Sequence, residues 1–317
     1  MRLSKLLCIA LFLVSISTIS SQQKTEIKWG EKQDPKNFIS RILGEDETGI
    51  YALAEKEKKF FIEKYSSDNF KQVFTKKLVF PDHLASKEEF EAIFFIKKQL
   101  FVFTSLYEIK ANRYFIYIRK INAAGDIEPN ENPVFEMSAN RGTEHGNYKV
   151  EISADSSKFL IFNKSASLID GKRKIKIGVI GTDLKLQIQF EENFEGATTF
   201  GYKEVDPRIW VAQALLSKDN KIYLLINKYS FLKETSEFSF IAYDIITLNK
   251  TVCPVELKDE KISNLSFSMG AAGILNLAGY YMDRVMRDKL KKYNNIIGVF
   301  FLKLDVFNNI ITEMNKM

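Results

Sequence analysis

The chain has 317 residues with 46 basic and 40 acidic side chains, a formal net charge of +6 that is interspersed rather than clustered, as in Glu55-Lys-Glu-Lys-Lys59. This composition describes a solvated mixed surface and excludes the dense basic footprint of a nucleic-acid-binding protein. Two cysteines and two histidines supply neither a disulfide framework nor a metal-ligand spacing.

Arg2 and Lys5 precede an apolar run from Leu6 to Ile16, and Thr18 with Ser20 or Ser21 offers the small side chains that a signal peptidase needs. The run is shorter than the ~20 residues that span a bilayer. Residues 1–21 are therefore expected to be a signal peptide and residues 22–317 a β-propeller-like repeat domain. Cys8 lies inside the apolar run without the preceding small residue of a lipidation site. Removal of Arg2 and Lys5 takes the charge from +6 to +4, and no later stretch is apolar enough to cross a membrane. The exported chain is expected in the periplasm, at the cell surface or outside the cell. Its one remaining cysteine, Cys253, reads as a small hydrophobe on a strand.

From there the chain is rich in Phe, Tyr and β-branched residues that alternate with polar ones, the pattern of half-buried strands. Strand pairs recur in five units. The first takes Phe38 to Leu43, Gly49 to Leu53, Lys59 to Tyr65 and Lys71 to Thr75. The second takes Glu89 to Ile96, Gln99 to Thr104, Arg113 to Arg119 and Val134 to Met137. The third takes Tyr148 to Ser153, a strand reaching Phe162, Lys174 to Ile180 and Leu186 to Phe190. The fourth takes Trp210 to Leu216, Ile222 to Ile226, Phe238 to Tyr243 and Thr251 to Leu257. The fifth takes Leu265 to Met269, Ile274 to Tyr280, Gly298 to Leu304 and Ile310 to Met314.

A four-stranded unit has two faces that it cannot cover alone, so stacking of successive units is the solution that the repeat dictates. The predicted fold is all-β, a β-propeller-like array of about five four-stranded blades. Closure of a ring falls either to a leading strand at Thr25 to Trp29 or to no segment, and the expectation is an incomplete or open array. Asp183, Asp244 and Asp305 each end a third strand and read as turn residues, because a short carboxylate bonds nearby backbone amides.

The segment Ser153-Ala-Asp-Ser-Ser-Lys-Phe-Leu-Ile-Phe162 resembles the blade motif of exported TolB-like and WD40-like β-propeller proteins. Ala278-Gly-Tyr-Tyr-Met-Asp283 with Gly298-Val-Phe-Phe-Leu-Lys-Leu-Asp305 is similar to secreted propeller-like proteins of Bacteroidetes-type bacteria. The chain lacks the Trp-Asp ends and Gly-His starts of WD40 repeats. The resemblance implies an exported propeller and carries over no catalytic residue.

No nucleophile elbow, phosphate loop or dinucleotide fingerprint is present. His83 and His145 read as loop residues. The richest polar cluster is Arg141-Gly-Thr-Glu-His-Gly146, on the loop before the third unit, which makes Arg141, Glu144 and His145 binding candidates. Tyr280 and Tyr281 are a second pair, suited to stacking on a sugar or peptide, with strand alternation sending one of the two into the core. The insertion from Met282 to Tyr293 is long for a hairpin connection and reads as a partner-contacting loop or a tolerated excursion. The expected function is a non-catalytic binding or scaffolding module that engages a protein, peptide or glycan through its inter-blade loops, without cofactor, metal or nucleic acid. The alternative is a hydrolase, or the propeller portion of one, acting on extracellular polymer.

Overall fold

The computed structural model describes residues 37–83, 86–138, 148–169, 172–194, 198–200, 204–230, 235–257, 260–283 and 296–317. The first unit is an antiparallel meander of β1 (Asn37–Asp46), β2 (Gly49–Lys56), β3 (Lys59–Tyr65) and β4 (Gln72–Lys77). A small hairpin of β5 (Asp82–His83) and β6 (Ser86–Lys87) follows, so the backbone of His83 lies in a short strand rather than in the expected loop. The second unit is β7 (Glu89–Ile96), β8 (Gln99–Glu108), β9 (Arg113–Ile121) and β10 (Phe135–Ser138). The third comprises β11 (Tyr148–Ile152), β12 (Lys158–Asn163), the short β13 (Ser167–Ile169), β14 (Lys172–Gly181) and β15 (Leu186–Phe194).

A second small hairpin, β16 (Thr198–Phe200) with β17 (Glu204–Asp206), leads to the fourth unit. That unit is β18 (Arg208–Leu216), β19 (Lys221–Ser230), β20 (Thr235–Asp244) and β21 (Lys250–Val255). The fifth is β22 (Glu260–Met269), β23 (Leu275–Asp283), β24 (Ile296–Asp305) and β25 (Ile310–Lys316). The chain is thus all-β, five antiparallel meanders in a β-propeller-like array, with strands where the hydrophobic alternation predicts them.

The seams between units explain the long apolar runs. On β12, Phe159 and Ile161 join the core shared with the second unit, whereas Leu160 and Phe162 join the core shared with the fourth. On β19, Ile222, Leu224 and Ile226 face the third unit, and Tyr223 and Leu225 face the fifth. A strand covered on both sides reads as a nearly continuous apolar run rather than an alternating one. Phe159 sets its ring edge-on to Phe101 and Phe103 at centroid distances of 5.2 and 5.0 Å, and Phe240 meets Phe267 in the same way at 5.0 Å. Such offset geometries are the favourable ones for aromatic pairs.

First strands of neighbouring units meet one another, β1 with β7, β11 with β18 and β18 with β22, so they form the inner side of the array. The fourth strands β4 and β25 are largely exposed and form its rim. Four of the five first strands carry a register shift, at Ile39/Arg41, Phe90/Ala92, Val211/Gln213 and Ile262/Asn264. A bulge of this kind bends the strand and increases its twist. Among the described residues, buried clusters join the first unit to the second, and so on to the fifth, and none joins the fifth to the first.

Turn chemistry follows the predicted aspartates. Asp244 Oδ1 accepts from the amides of Ile246 and Thr247 at 2.9 and 3.0 Å, and Asp305 Oδ1 from that of Asn308 at 3.1 Å. Asp183 Oδ1 accepts from the amide of Lys185 at 3.2 Å. Equivalent turns also touch across a seam: the amide of Ala154 donates to the Leu216 carbonyl at 3.0 Å, and Lys158 Nζ donates to Asn220 Oδ1. Gly49, at φ 153°, is required as glycine, since a Cβ there would stand 2.2 Å from the Tyr65 carbonyl oxygen.

Candidate functional site

The fifth unit is built differently on its two faces. Along β22, Leu265 and Phe267 are buried while Asn264, Ser266 and Ser268 are exposed. Along β24, Phe300, Leu302 and Leu304 are buried while Phe301 and Lys303 are exposed. The buried set packs on the fourth unit together with Leu275 and Leu277 of β23. Register places the other set in rows: Ser266 opposite Ala278 opposite Phe301, and Ser268 opposite Asn276 opposite Lys303. The outward face is therefore a patch of amides and hydroxyls around two rings, Tyr280 at 45% and Phe301 at 44% exposure.

Two shallow grooves lie on this face and share Phe301 as a wall. One, of about 210 Å³, runs past Asn276, Lys303, Glu313 and Asn315. The other, of about 180 Å³, runs past Asn264, Ser266, Ala278, Tyr280 and Val299. Tyr280 and Phe301 are diagonal neighbours on paired strands, a relation that brings long side chains on one face within reach of each other. Among the described residues, an ion pair on the face joins Lys303 to Glu313. Lys303 Nζ stands 2.7 Å from Glu313 Oε2, and its hydrogen bond holds the Glu313 carboxyl below the ordinary carboxylate range. Asn315 Nδ2 donates to the same carboxylate at 3.0 Å.

The sequence candidates separate accordingly. Tyr280 lies on the open face. Tyr281 points the other way, is packed against the core shared with the fourth unit, and carries the Lys316 ammonium 5.7 Å from its ring centroid. Arg141, Glu144 and His145 lie outside the described residues, as does the insertion beyond Asp283. Phe301, Asn264, Asn276 and Asn315 were not singled out by sequence. Their signal was the period-two alternation in Leu275-Asn-Leu-Ala278 and Phe301-Leu-Lys-Leu304, which marks a strand with one solvated face.

Elsewhere several buried charged groups are engaged in structure. Glu88 and Arg119, with side chains 0% and 3% exposed, form a two-pronged pair at 2.6 and 2.7 Å, and Thr104 Oγ1 donates to Glu88 at 2.5 Å. Ser105 Oγ donates to Glu91 at 2.5 Å beside the buried Tyr148, whose phenol is pushed well up by burial and by the Glu91 charge. Glu63 takes Lys56 and the Tyr65 hydroxyl, each at 2.5 Å. Burial and the Glu63 bond push the Tyr65 phenol up to about 12. Glu192 is held by Tyr243 and Lys250. Cys253 is buried in the seam between the fourth and fifth units. Among the described residues no group of three or more His, Cys, Asp or Glu side chains is arranged to hold a metal ion, and no helix is long and apolar enough to cross a membrane.

No family model matches the sequence, and no curated protein matches it. Similar folds occur among solved structures. The Dos1 propeller is 12% identical at a TM-score of 0.46, covering 88% of this chain and 59% of its own. The endo-arabinase from Bacteroides thetaiotaomicron is 12% identical at 0.39, covering 78% and 88%. The Penicillium chrysogenum alpha-L-arabinanase, solved with arabinobiose, is 11% identical at 0.38, covering 89% and 93%.

Proposed function

We propose that the protein is an exported, non-catalytic recognition module, in which four seam-packed units hold a fifth whose outward face meets the ligand. The observation that carries this reading is the pair of half-exposed rings, Tyr280 and Phe301, set among exposed polar side chains on a paired sheet. An aromatic ring held on a strand loses little freedom on binding, and neighbouring amides supply orientation. Export is supported by the apolar leader from Leu6 to Ile16. A TolB-like origin of the repeat is supported by the Ser153–Lys158 turn. There, Asp155 accepts from the Ser153 and Ser157 hydroxyls at 2.7 Å, and Ser153 Oγ accepts from the Lys158 amide at 2.9 Å.

Hydrolysis of a polymer is the second reading, and one observation favours it. Glu151, on the inner strand β11, has its carboxyl pushed up by burial against the opposing pull of Lys149, which is what a general acid requires. At TM-scores below 0.5 the arabinanase likeness bears on neither reading.

The test is surface plasmon resonance of the mature chain against a panel of polysaccharides, peptides and envelope proteins, with reducing-end and amine release followed in the same samples. Recognition predicts binding that Tyr280→Ala and Phe301→Ala weaken, with no product formed. Product release that Glu151→Gln abolishes would establish hydrolysis instead. Binding unaffected by either aromatic substitution would remove this face from consideration.

A further inference from the structure

We infer that the outward face of the fifth unit takes an extended, uncharged polysaccharide chain. This rests on the reading of that face as the binding surface and adds the class of ligand. Four properties of the face select it.

The first is composition. Every seam of the array is made mainly of Ile, Leu, Val and Phe side chains, whereas this face presents Asn264, Ser266, Ser268, Asn276 and Asn315. A second folded surface, whether the first unit of the same chain or another copy, would cover Tyr280 and Phe301 but would also strip water from these amides and hydroxyls. A polyhydroxylated ligand offers each of them a hydrogen-bond partner, and Asn side chains both donate and accept.

The second is the rings. Tyr280 and Phe301 lie open on the sheet as diagonal neighbours. A pyranose has a face of C–H groups that covers an aromatic ring, so two rings in a row hold two positions along one chain. The third is charge. Among the described residues, the ionic groups lining the grooves are Lys303 and Glu313, and they neutralise one another at 2.7 Å.

The fourth is topology. A bound peptide draws its affinity from main-chain hydrogen bonds to a free strand edge. Between the paired strands β22, β23 and β24 the grooves offer side chains only, and the free main-chain edge among the described residues lies beyond them, on β25. The two shallow grooves adjoin at Phe301, so a long chain can lie across both with that ring beneath it.

Affinity electrophoresis in native gels containing hydroxyethyl cellulose, dextran, galactomannan or polygalacturonate tests the inference on the mature chain. Retardation is expected with at least one neutral polymer. It should weaken roughly tenfold or more in the Tyr280→Ala/Phe301→Ala double variant, weaken less in Asn276→Ala, and stay unchanged in Ile246→Ala, a control in the turn after β20. Added salt should leave it unchanged. Both rings are half-exposed, so the variants are expected to melt like the wild type, and a large loss of stability would show a packing face and overturn the inference. Retardation by polygalacturonate alone, or peptide binding lost in the same double variant, would overturn the ligand class and leave the face standing. Binding of a neutral polymer indifferent to both substitutions would overturn the face as well, and no retardation by any polymer would overturn the inference.

Discussion

The fourth and fifth units share one strand plan and one core, yet the second strand of the one and the third strand of the other read differently. On β19, five consecutive apolar residues from Ile222 to Ile226 are buried, because one set faces the third unit and the other the fifth. On β24 the buried residues alternate with exposed ones from Phe300 to Leu304. The difference counts neighbours: a run of apolar residues reports two covered faces, and an alternating run reports one. The first unit, at the other end, is of a third kind. Its outward-facing Ala52 and Ala54 are buried, and Glu63 is locked by Lys56 and Tyr65. The fifth unit's terminal face, by contrast, presents Tyr280 and Phe301 to solvent beside the amides of Asn264, Asn276 and Asn315.

The sharpest way to break this comparison is to truncate one phenylalanine on each kind of surface. Phe240→Ala, in the seam against Phe267, is expected to cost about 3–5 kcal/mol, while Phe301→Ala, on the open face, should cost less than about 1 kcal/mol. Urea melts of the two variants would show it. Equal losses would mean that the fifth unit is covered on both sides in solution.

A smaller effect probes how the two units are joined. Gln213, at the bulge of β18, accepts from the Phe267 amide at 2.9 Å and donates to the Phe267 carbonyl at 2.7 Å. Gln213→Ala strands both backbone groups and should cost about 1–3 kcal/mol. Hydrogen exchange should quicken at the Phe267 amide first. An unchanged rate there would show that side-chain packing alone holds the seam.

The smallest effect belongs to the turns that repeat from unit to unit. The Ser153 and Ser157 hydroxyls hold the Asp155 carboxyl down at about 2, against an ordinary 3.8. A carboxyl depressed in the folded state adds stability above pH ~4 and loses it as pH falls towards 2. Solvent screening of this exposed turn keeps the gain below about 1 kcal/mol. Asp155→Ala should therefore melt earlier than the wild type at pH 6 and together with it near pH 2. A gap that persists at pH 2 would assign the loss to backbone geometry instead.

Much of the fold was legible because period-two hydrophobicity and Asp-bearing turns are local signals. The expected strand from Phe238 to Tyr243 lies inside Thr235–Asp244, and the one from Gly298 to Leu304 inside Ile296–Asp305. Less legible were features that depend on partners far along the chain. Glu88 and Arg119 are 31 residues apart, and nothing near either residue announces the other. The hairpin turns at Glu57-Lys58 and Lys97-Lys98 adopt left-handed φ values of 51° and 62°, and of 48° and 64°, without the Asn or Gly that such turns favour. Of the site, the Tyr280/Tyr281 pair was visible and alternation correctly assigned them to opposite faces. Phe301 was hidden because Val299-Phe-Phe-Leu302 reads as continuous core until register shows which ring has no neighbour.

The bidentate hold of Gln213 on Phe267 has a consequence for how such a surface changes over time. It grips main chain, which every residue possesses, rather than a particular side chain. The docking of the terminal unit is thereby insulated from the identity of Asn264, Ser266 and Ser268 on the same strand. Mutation can rewrite the outward lettering of β22 while the hinge that seats it stays the same, so one scaffold can present different polar surfaces at no cost to its assembly.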